Sequence, residues 1–228
     1  MVTKLSKKLK GKRKKFKNKR ILITAGPTWV PIDSVRVISN IATGETGILL
    51  AEKLQRLGNK VTLVLGPAEA CCLNRNIKLI RFKSFDELKN TISRELKAKR
   101  YDVVIHSAAV SDYRPEVTFA KKIKSGKKIW KLKLVPTSKI IDLLKKIDSS
   151  LFLVGFKFEP GARKNILLKK TRNLMWRADL DLAVANSIDK NRYEAYILKQ
   201  NKVYGPWQNK NTLVNKLVNL IGENLCSS

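Results

Sequence analysis

The chain has 228 residues, of which 43% are hydrophobic and 29% are charged, a composition typical of a folded globular protein. Its longest apolar runs, such as Ile21–Ala25, are far shorter than the roughly 20 residues of a membrane-spanning helix, and the first twenty residues lack the apolar core of a signal peptide. Three cysteines and one histidine argue against a disulfide framework, a structural zinc site and a histidine-based triad. We therefore expect a cytoplasmic protein.

The positive charge is concentrated at the amino terminus. The formal net charge is +30, from 48 basic and 18 acidic residues, an excess typical of proteins that bind nucleic acids. Residues 1–20 contain eleven Lys and Arg and no acidic residue. We interpret them as a disordered basic tail that precedes one folded domain at residues 21–228. The tail could contact RNA non-specifically, although a solvated extension is the simpler interpretation.

Strands and helices alternate in the first half of the chain. The apolar pattern predicts, in order, a strand at Ile21–Ala25, a helix at Ile48–Gly58, strands at Lys60–Gly66 and Ile77–Phe82, a helix at Phe85–Lys99 and a strand at Tyr101–Val110. Short apolar runs of this kind are typical of strands buried on both faces. Their alternation with helices indicates a parallel sheet that is covered on both sides.

The second half begins with a segment of a different kind. Apolar and basic residues alternate at Ile129–Leu134, after the turn signal Ser125-Gly126, and this pattern predicts an antiparallel arm around residues 117–136. The remaining predicted elements are helices at Ser138–Ile147, Arg163–Arg177 and Asn211–Ile221, strands at Leu151–Phe158 and Leu180–Ala185, and a hairpin at Tyr193–Tyr204. The fold class is therefore α/β, a Rossmann-like, doubly wound, mostly parallel sheet with a protruding antiparallel arm.

The long loop after the first strand is a candidate anion site. It lacks the G-x-G-x-x-G pattern of a dinucleotide site and the glycine-lysine pair of a Walker loop. It ends in Thr43-Gly44 directly before a helix, where free backbone N–H groups and the helix dipole favour an anion. Arg36 and Asn40, four residues apart, could share one side of a helical turn close to that dipole. An ordinary capped helix is the alternative.

A second candidate segment, residues 106–115, follows a buried strand. Ligands of open α/β sheets bind in the crevice beyond the carboxyl ends of the strands. Small residues there would let a ribose or a base approach the backbone, and Asp112 could bind sugar hydroxyls or help to hold Mg²⁺. Alternatively, Asp112 is a turn residue paired with Arg114. We expect His106 to be a core or rim histidine, and the lysines at 121–124 to be surface charges.

Five segments together resemble the phosphopantothenate–cysteine ligase family, the ligase half of the bifunctional coenzyme A biosynthesis protein. They are Ile21–Asn40, Val104–Pro115, Lys122–Lys124, Gly155–Lys157 and Val184–Asn186. The first segment contains Ala-Gly-Pro-Thr, Pro-Ile-Asp-x-Val-Arg and Ser-Asn in succession, which is too long a motif for a chance match. The resemblance covers nearly all of residues 20–220, and its Gly-Phe-Lys is similar to the free-standing form of the family.

The resemblance implies a nucleotide-driven condensation. The carboxylate of 4′-phosphopantothenate would attack the α-phosphate of CTP, or of ATP, and the amine of cysteine would then displace the nucleotide to form an amide. It further implies Mg²⁺ carried by the nucleotide rather than by protein side chains, a homodimer formed through the arm, and a separate decarboxylase that acts on the product. We expect no flavin, because the flavin-binding half of the family has no counterpart in these residues.

The resemblance also assigns site residues. Asn40 and Lys122 match the catalytic residues, and Arg36, Asn40 and Ala109 match substrate-binding positions. The positions that match the nucleotide-binding residues are Gly26, His106, Ser107, Ala108, Asp112, Lys122, Ser138, Lys139, Ile140, Ile141 and Phe156. For Ser138–Ile141 the matching contacts are made by the backbone.

Some positions depart from the family pattern. Glu45 stands where many members carry a positive side chain, and Leu174 and Ala178 align with two nucleotide-binding lysines. The nearby basic residues that could substitute are Lys170, Arg172 and Arg177. Two other functions therefore remain open: a catalytically inactive Rossmann-like protein that binds RNA through its basic surface and tail, and an NAD(P) enzyme, which the missing glycine fingerprint disfavours.

Overall fold

The computed structural model describes residues 16–69, 73–126 and 128–225, so that residues 1–15 of the expected tail lie outside the described residues. The strands are β1 Arg20–Ala25, β2 Trp29–Pro31, β3 Val37–Ser39, β4 Lys60–Leu65, β5 Lys78–Arg81, β6 Val103–His106, β7 Tyr113–Pro115, β8 Leu134–Pro136, β9 Phe152–Phe158, β10 Leu182–Asp189, β11 Arg192–Lys199 and β12 Lys202–Trp207. The helices are α1 Glu45–Arg56, α2 Phe85–Ala98, α3 Ile141–Ile147, α4 Lys164–Ala178 and α5 Lys210–Leu225.

Eight strands form the central sheet, in the order β12-β11-β10-β9-β6-β1-β4-β5. The six strands from β10 to β5 are parallel, and β11 and β12 add an antiparallel edge. This arrangement confirms the predicted Rossmann-like α/β fold. The strand order reverses at β1, which pairs with β4 on one side and β6 on the other. A crevice beyond the carboxyl ends of β1 and β6 is therefore the expected ligand position.

Two apolar layers cover the sheet. Alternate residues of each central strand face opposite sides, so that Ile21 and Ile23 join the layer under α1 and α5, whereas Leu22 joins the layer under α2, α3 and α4. Both layers are fully buried at their centres, as at Leu54 and Leu144. Truncation of such a leucine to alanine costs about 2–5 kcal/mol in other proteins. No helix in the described part of the chain is long and apolar enough to cross a membrane.

The antiparallel arm differs from its prediction. Its strands pair at the base only, where β7 lies antiparallel to β8. Residues 116–133, which we call the arm loop, contain no strand among those the structure describes, and the predicted hairpin at Ser125-Gly126 is wrong. The alternation of apolar and basic residues predicted a strand with one buried face, but Ile129, which would lie on that face, is 75% exposed. The arm loop instead makes backbone hydrogen bonds to the segment beside β2, as from Phe119 N to Ile32 O (3.0 Å).

The folded domain begins earlier than predicted. Phe16 is 5% exposed and packs in the layer under α1 and α5, and Asn18 N donates to Gly58 O (3.0 Å). Arg20 already belongs to β1. The expected tail boundary at residue 20 is therefore wrong, because one aromatic residue within the basic run supplies enough apolar surface to anchor residues 16–19.

Candidate active site

The loops after β1 and β6 are joined at the switch point of the sheet. Ala109 N donates to Gly26 O (2.9 Å), and Thr28 N donates to Ala109 O (3.3 Å). Gly26 has a φ of +78°, which favours glycine, and a Cβ there would lie 3.2 Å from Gly66 N. The predicted nucleotide-binding positions at the end of β1 and in the segment after β6 are thus adjacent.

Helix α1 begins directly against these strand ends. A Cβ on Gly47 would lie 2.4 Å from Ala25 Cβ and 2.9 Å from Ser107 Oγ, so that only glycine permits this approach. Gly44, with a φ of +71°, precedes the helix and leaves its first N–H groups at the crevice. The carboxylate of Glu45 pairs with Lys210, so a lysine from α5 lies beside the position where the family pattern has a cation.

Asn40 is attached to the segment after β6. Its Nδ2 donates to Ala109 O (3.1 Å), the same carbonyl that accepts from Thr28 N. The preceding residue is also tied to the end of β1, because Ser39 Oγ donates to Thr28 O (3.2 Å). The amide of Asn40 is therefore held beside Ala109 across 69 residues of sequence.

A network of hydroxyl groups lies beneath this contact. Thr28 Oγ1 accepts from Ser111 N (2.9 Å) and donates to Ser111 Oγ (3.2 Å), and both side chains are buried. Thr137 Oγ1 donates to Ser111 O (2.7 Å), and Thr137 N donates to Asp112 O (2.9 Å). The network fixes the position of the loop that carries Asp112.

Asp112 itself is exposed and pairs with Lys139, not with Arg114 as the alternative interpretation proposed. Lys139 and Ser138 are exposed at this end of the sheet, whereas the side chains of Ile140 and Ile141 are buried in the layer under α2, α3 and α4. The side chains of Ile140 and Ile141 therefore do not face a ligand, and the backbone contacts assigned to these residues stay a prediction.

Lys122 and Arg36 approach each other through the arm loop. Ile123 N donates to Asp33 Oδ2 (3.1 Å), and Arg36 Nη2 donates to Ile123 O (3.2 Å). The Arg36 guanidinium lies over the Trp130 ring, 5.1 Å from its centroid. Lys122, next to Ile123, is therefore brought to the loop that leads to Asn40. The structure thus joins the segments of Asn40 and Asp112 through Ala109, and it holds the backbone next to Lys122 against the loop of Asp33 and Arg36; the roles of Asn40, Asp112 and Lys122 stay predictions.

His106 is buried beneath the strand end. Its Nδ1 is 2.8 Å from Thr24 Oγ1, and burial lowers the pKa of the imidazole to about 4, so that the ring is neutral near pH 7. The neighbouring Ser107 Oγ donates to Thr24 O (2.7 Å). This placement agrees with a core histidine, and a nucleotide contact from this segment would come from its backbone or from residues 107–108.

Two polar side chains on the same side of the sheet as Phe156 were not predicted from the sequence. Phe156 packs in the layer under α1 and α5, and the strand alternation turns Asn186 and Tyr193 to the same side of the sheet. Asn186 Oδ1 and Tyr193 Oη are buried and make no hydrogen bond within the described residues. Burial, followed by the nearby carboxylate of Glu45, raises the pKa of Tyr193. The sequence carries a signal for Asn186, a polar residue directly after the buried apolar run 182–185.

The two positions that align with family lysines are core positions. Leu174 and Ala178 are buried against the sheet, and no ligand could reach a side chain there without displacing the core. Of the proposed substitutes, Lys170 pairs with Glu159 and Arg177 with Asp142. Arg172 lines a groove of about 510 Å³ with Arg163, Lys164, Asn165 and Leu168.

Comparison with known sequences places the chain in context. A Coenzyme A biosynthesis bifunctional protein CoaBC from Thermococcus kodakarensis is 40% identical over 175 residues, which make up 77% of this chain. The same region is 43% of that protein, so the chain spans less than half of its relative's length.

Comparison with solved structures gives the same fold. The DNA/pantothenate metabolism flavoprotein from Streptococcus pneumoniae has a TM-score of 0.81 at 27% identity, over 90% of this chain and 99% of that one. A Cab2 H337A mutant in complex with phosphopantothenate-cysteine has a TM-score of 0.73 over 98% of this chain and 94% of that one; at 16% identity it shows the fold alone.

The family match covers nearly the whole described chain. The model described as the DNA/pantothenate metabolism flavoprotein C-terminal domain matches residues 16–224, which include every site segment described above. The match also begins at Phe16, the first residue that the structure describes. This extent confirms the resemblance inferred from the motifs, and the chain belongs to the family of DNA/pantothenate metabolism flavoprotein C-terminal domains.

Proposed function

We propose that the protein condenses 4′-phosphopantothenate with cysteine through an acyl-nucleotide intermediate, using CTP or, alternatively, ATP. The family membership and the 40% identity to a coenzyme A biosynthesis protein support this activity. The observation that carries it is the contact of Asn40 with Ala109 at the switch point of the sheet, beside the N-terminus of α1. A separate decarboxylase would then act on the product, which retains the carboxylate of cysteine.

The triphosphate would bind where the two loops and α1 meet. The N–H groups that follow Glu45, whose own N donates to Thr43 Oγ1 (3.4 Å), would favour phosphate oxygens at the start of α1, and Lys210, which pairs with Glu45, lies beside them. Phe156 would pack against the base, and the unpaired Asn186 Oδ1 and Tyr193 Oη lie on its side of the sheet. These features support a nucleotide subsite between α1 and the carboxyl end of β9.

In the first half-reaction the carboxylate oxygen of phosphopantothenate attacks the α-phosphorus, the bond to the β-phosphate breaks, and pyrophosphate leaves. A carboxylate is a poor electrophile, and this step converts its oxygen into part of a good leaving group. The protein holds the two reactants in line and offers donors to the developing charge. Asn40 Nδ2 is such a donor, held in place by Ala109 O.

In the second half-reaction the amine of cysteine attacks the acyl carbon, and the nucleoside monophosphate and a proton are released. Lys122 would stabilise the negative charge on the phosphate and on the tetrahedral oxyanion. Its side chain is exposed, and its neighbour Ile123 is bonded to both Asp33 and Arg36. The guanidinium of Arg36 would bind the phosphate of phosphopantothenate.

The described side chains include no cluster of three or more acidic, histidine or cysteine residues able to hold a metal ion. Asp112 is an exposed carboxylate at the crevice. This donor set fits Mg²⁺ that arrives on the nucleotide phosphates, with Asp112 as one contributing oxygen ligand. When bound, the ion would neutralise phosphate charge.

The proposal includes a homodimer whose interface is the exposed apolar layer, the surface formed outside the main sheet by β3, β7, β8 and the loops around them. Large apolar side chains are exposed on β3, β7, β8 and the surrounding loops: Val35, Val37, Ile41, Tyr113, Val117, Phe119, Ile129 and Leu134. So much exposed apolar surface around one region is typical of an interface. Because Arg36 and Lys122 lie in the loops of this same surface, a second copy bound there would cover the part of the candidate site that they form.

The test is a pyrophosphate-release assay with CTP and ATP in parallel, each with and without phosphopantothenate. We expect release that requires phosphopantothenate and Mg²⁺ together, and a preference for one triphosphate. Pantothenate without its phosphate is the matched control substrate. Release that is independent of phosphopantothenate, or absent with both triphosphates, would contradict the proposed function.

A further inference from the structure

Asp33 is a buried acidic residue that the proposed mechanism does not use. Its side chain is fully buried, although it lies in a loop between two short strands. Asp33 Oδ1 accepts hydrogen bonds from Val35 N (2.9 Å) and Arg36 N (2.8 Å), and Oδ2 accepts from Ile123 N (3.1 Å). Arg36 Nη1 lies 3.3 Å from Oδ2 and balances the charge. A single carboxylate therefore organises its own loop and holds a segment 90 residues away.

The held segment is the part of the arm loop next to Lys122. Both backbone groups of Ile123 are engaged, because its N–H is bonded to Asp33 and its carbonyl accepts from Arg36. No strand ladder fixes the described residues of the arm loop. Besides the bonds of Ile123, it is held by the stacking of Trp130 on Arg36 and by bonds from Phe119 N to Ile32 O and from Thr118 Oγ1 to Pro31 O, while Glu116 and Lys133 join its two ends. A loop with few such anchors opens when one of them is removed.

We infer that Asp33 is a positioning residue for Lys122: through Ile123 it latches the arm loop to the loop that carries Arg36. The part of this inference that concerns Lys122 in catalysis rests on the proposed function, whereas the latch itself does not. The carboxylate is the group that suits the position, since it accepts from three N–H donors and a guanidinium at once. An asparagine there would turn an NH₂ group, which cannot accept a hydrogen bond, toward at least one of these donors, and that hydrogen bond would be lost.

The first test measures the latch without any activity. The arm loop contains seven lysines, each a trypsin site, so opening of the loop can be followed by mass spectrometry of the fragments. We expect Asp33→Asn to raise the initial rate of cleavage within residues 116–133 by about tenfold or more, because cleavage follows the population of the open loop. The matched control is Asp148→Asn, which removes a carboxylate bonded to Ser150 N just before β9, at the amino-terminal end of the central strands.

An unchanged cleavage rate in Asp33→Asn, or an equal increase in Asp148→Asn, would overturn the latch. Thermal unfolding of each variant shows whether the change is local or global. If Asp33→Asn fails to fold, Trp130→Leu weakens the same latch by removing the ring stacked on Arg36 while leaving the buried carboxylate in place. It should raise cleavage in the same residues by a smaller factor, and no rise would contradict the inference.

The second test separates positioning from a general structural role. Asp33→Asn should slow amide formation from the acyl-nucleotide at least about tenfold, with a smaller effect on the KM for the triphosphate. Asp33→Glu, which restores the carboxylate, should recover part of the rate. Equal losses in both half-reactions without recovery in Asp33→Glu would contradict a specific effect on Lys122. A wild-type protein that releases no pyrophosphate would contradict the proposed function, and the cleavage result would still decide the latch.

Discussion

The amide of Asn40 is the side chain on which the proposed chemistry depends most directly. It is exposed to a ligand, yet its Nδ2 is oriented by Ala109 O, which belongs to the segment that ends in Asp112. The donor is therefore fixed before substrate arrives, and a fixed donor loses little free energy to reorganisation in the transition state. The buried hydroxyls of Thr28 and Ser111 support this orientation from below.

Asn40→Ala should lower the rate of acyl-nucleotide formation by roughly 100-fold or more, the scale of losing one preorganised donor to the charge that develops in a transition state. The KM for the triphosphate should change much less, since the helix N-terminus remains. Asn173→Ala, on the exposed face of α4, is the control. Steady-state kinetics check the prediction, and wild-type turnover in Asn40→Ala would refute the assigned role.

Lys122→Gln should impair the second half-reaction more than the first, because the lysine is proposed to stabilise the charge that forms when cysteine attacks. Single-turnover measurements of pyrophosphate release and of amide formation separate the two steps. Lys128→Gln, in the same arm loop, is the matched control. Equal losses in both steps would argue that Lys122 only binds the nucleotide.

At the level of elements, α1 depends on its glycines for its position. Gly47 allows the first turn to contact Ala25 and Ser107, so the helix N-terminus points at the crevice. Gly47→Ala should weaken nucleotide binding by about tenfold or more, because the added methyl group would lie 2.4 Å from Ala25 Cβ and the helix would have to move. Isothermal titration with CTP and ATP measures the loss. Gly222→Ala, within α5, is the matched control, because a Cβ there would lie at an ordinary contact distance of 3.4 Å from Phe16 Cγ.

The helices and strands that the sequence predicts correctly are those whose apolar residues are buried in the two layers of the core. Continuous apolar runs such as Ile21–Ala25 predicted the parallel strands, and glycine stops and apolar spacing predicted the helices. The arm loop was predicted as a hairpin because alternation at Ile129–Leu134 was interpreted as one buried face. Its backbone is satisfied by contacts such as Ile123 with Asp33, which no local pattern encodes.

The site was predictable to the extent that its residues lie in long motifs. The motifs and the strand-end rule pointed to Asn40 and Asp112, and the structure links their segments through Ala109. Asn186 and Tyr193 were missed, because an orphaned polar atom is visible only when the layers are assembled. The ion pair of Glu45 with Lys210 spans 165 residues and likewise follows from tertiary packing alone.

At the scale of the whole molecule, a buried polar cluster far from the site contributes to stability. Glu95 accepts hydrogen bonds from Lys78 Nζ (2.8 Å) and Tyr101 Oη (2.6 Å). Burial alone would raise the pKa of Glu95, but these bonds and the nearby lysines more than offset it and lower the pKa below 4.5. The folded state therefore favours the charged form. The stabilisation is present above the unfolded-state pKa and is lost as the pH falls through the folded-state pKa.

Glu95→Gln should accordingly reduce the free energy of unfolding by about 1–3 kcal/mol at pH 7, the cost of leaving a buried hydrogen-bonded group unsatisfied. The difference from wild type should shrink as the pH falls from the unfolded-state pKa of Glu95 through its lowered folded-state pKa, below which the carboxyl is protonated in both states. Urea unfolding at several pH values checks this prediction. Glu116→Gln, which breaks an exposed pair with Lys133, should change stability by less than about 1 kcal/mol. A difference that is independent of pH would contradict the assignment.

The exposed apolar layer makes a further prediction about assembly. Sedimentation of the wild-type chain should give the mass of two copies, and the double substitution of Val117 and Ile129 by glutamate should raise the dissociation constant at least about tenfold, since it buries charge at the interface. Ile166→Glu places the same charge on an exposed apolar position of α4 and should leave the mass unchanged. Loss of the dimer in the control alone would locate the interface elsewhere.

The central claim is that one crevice, at the carboxyl ends of β1 and β6, performs both half-reactions in sequence. A single-turnover experiment that omits cysteine tests it most directly, with the products identified by mass spectrometry. The account predicts one pyrophosphate and one phosphopantothenoyl-nucleotide per site, followed, when cysteine is added, by the amide and the nucleoside monophosphate. Pyrophosphate release without an acyl-nucleotide, or a first step that needs cysteine, would contradict it.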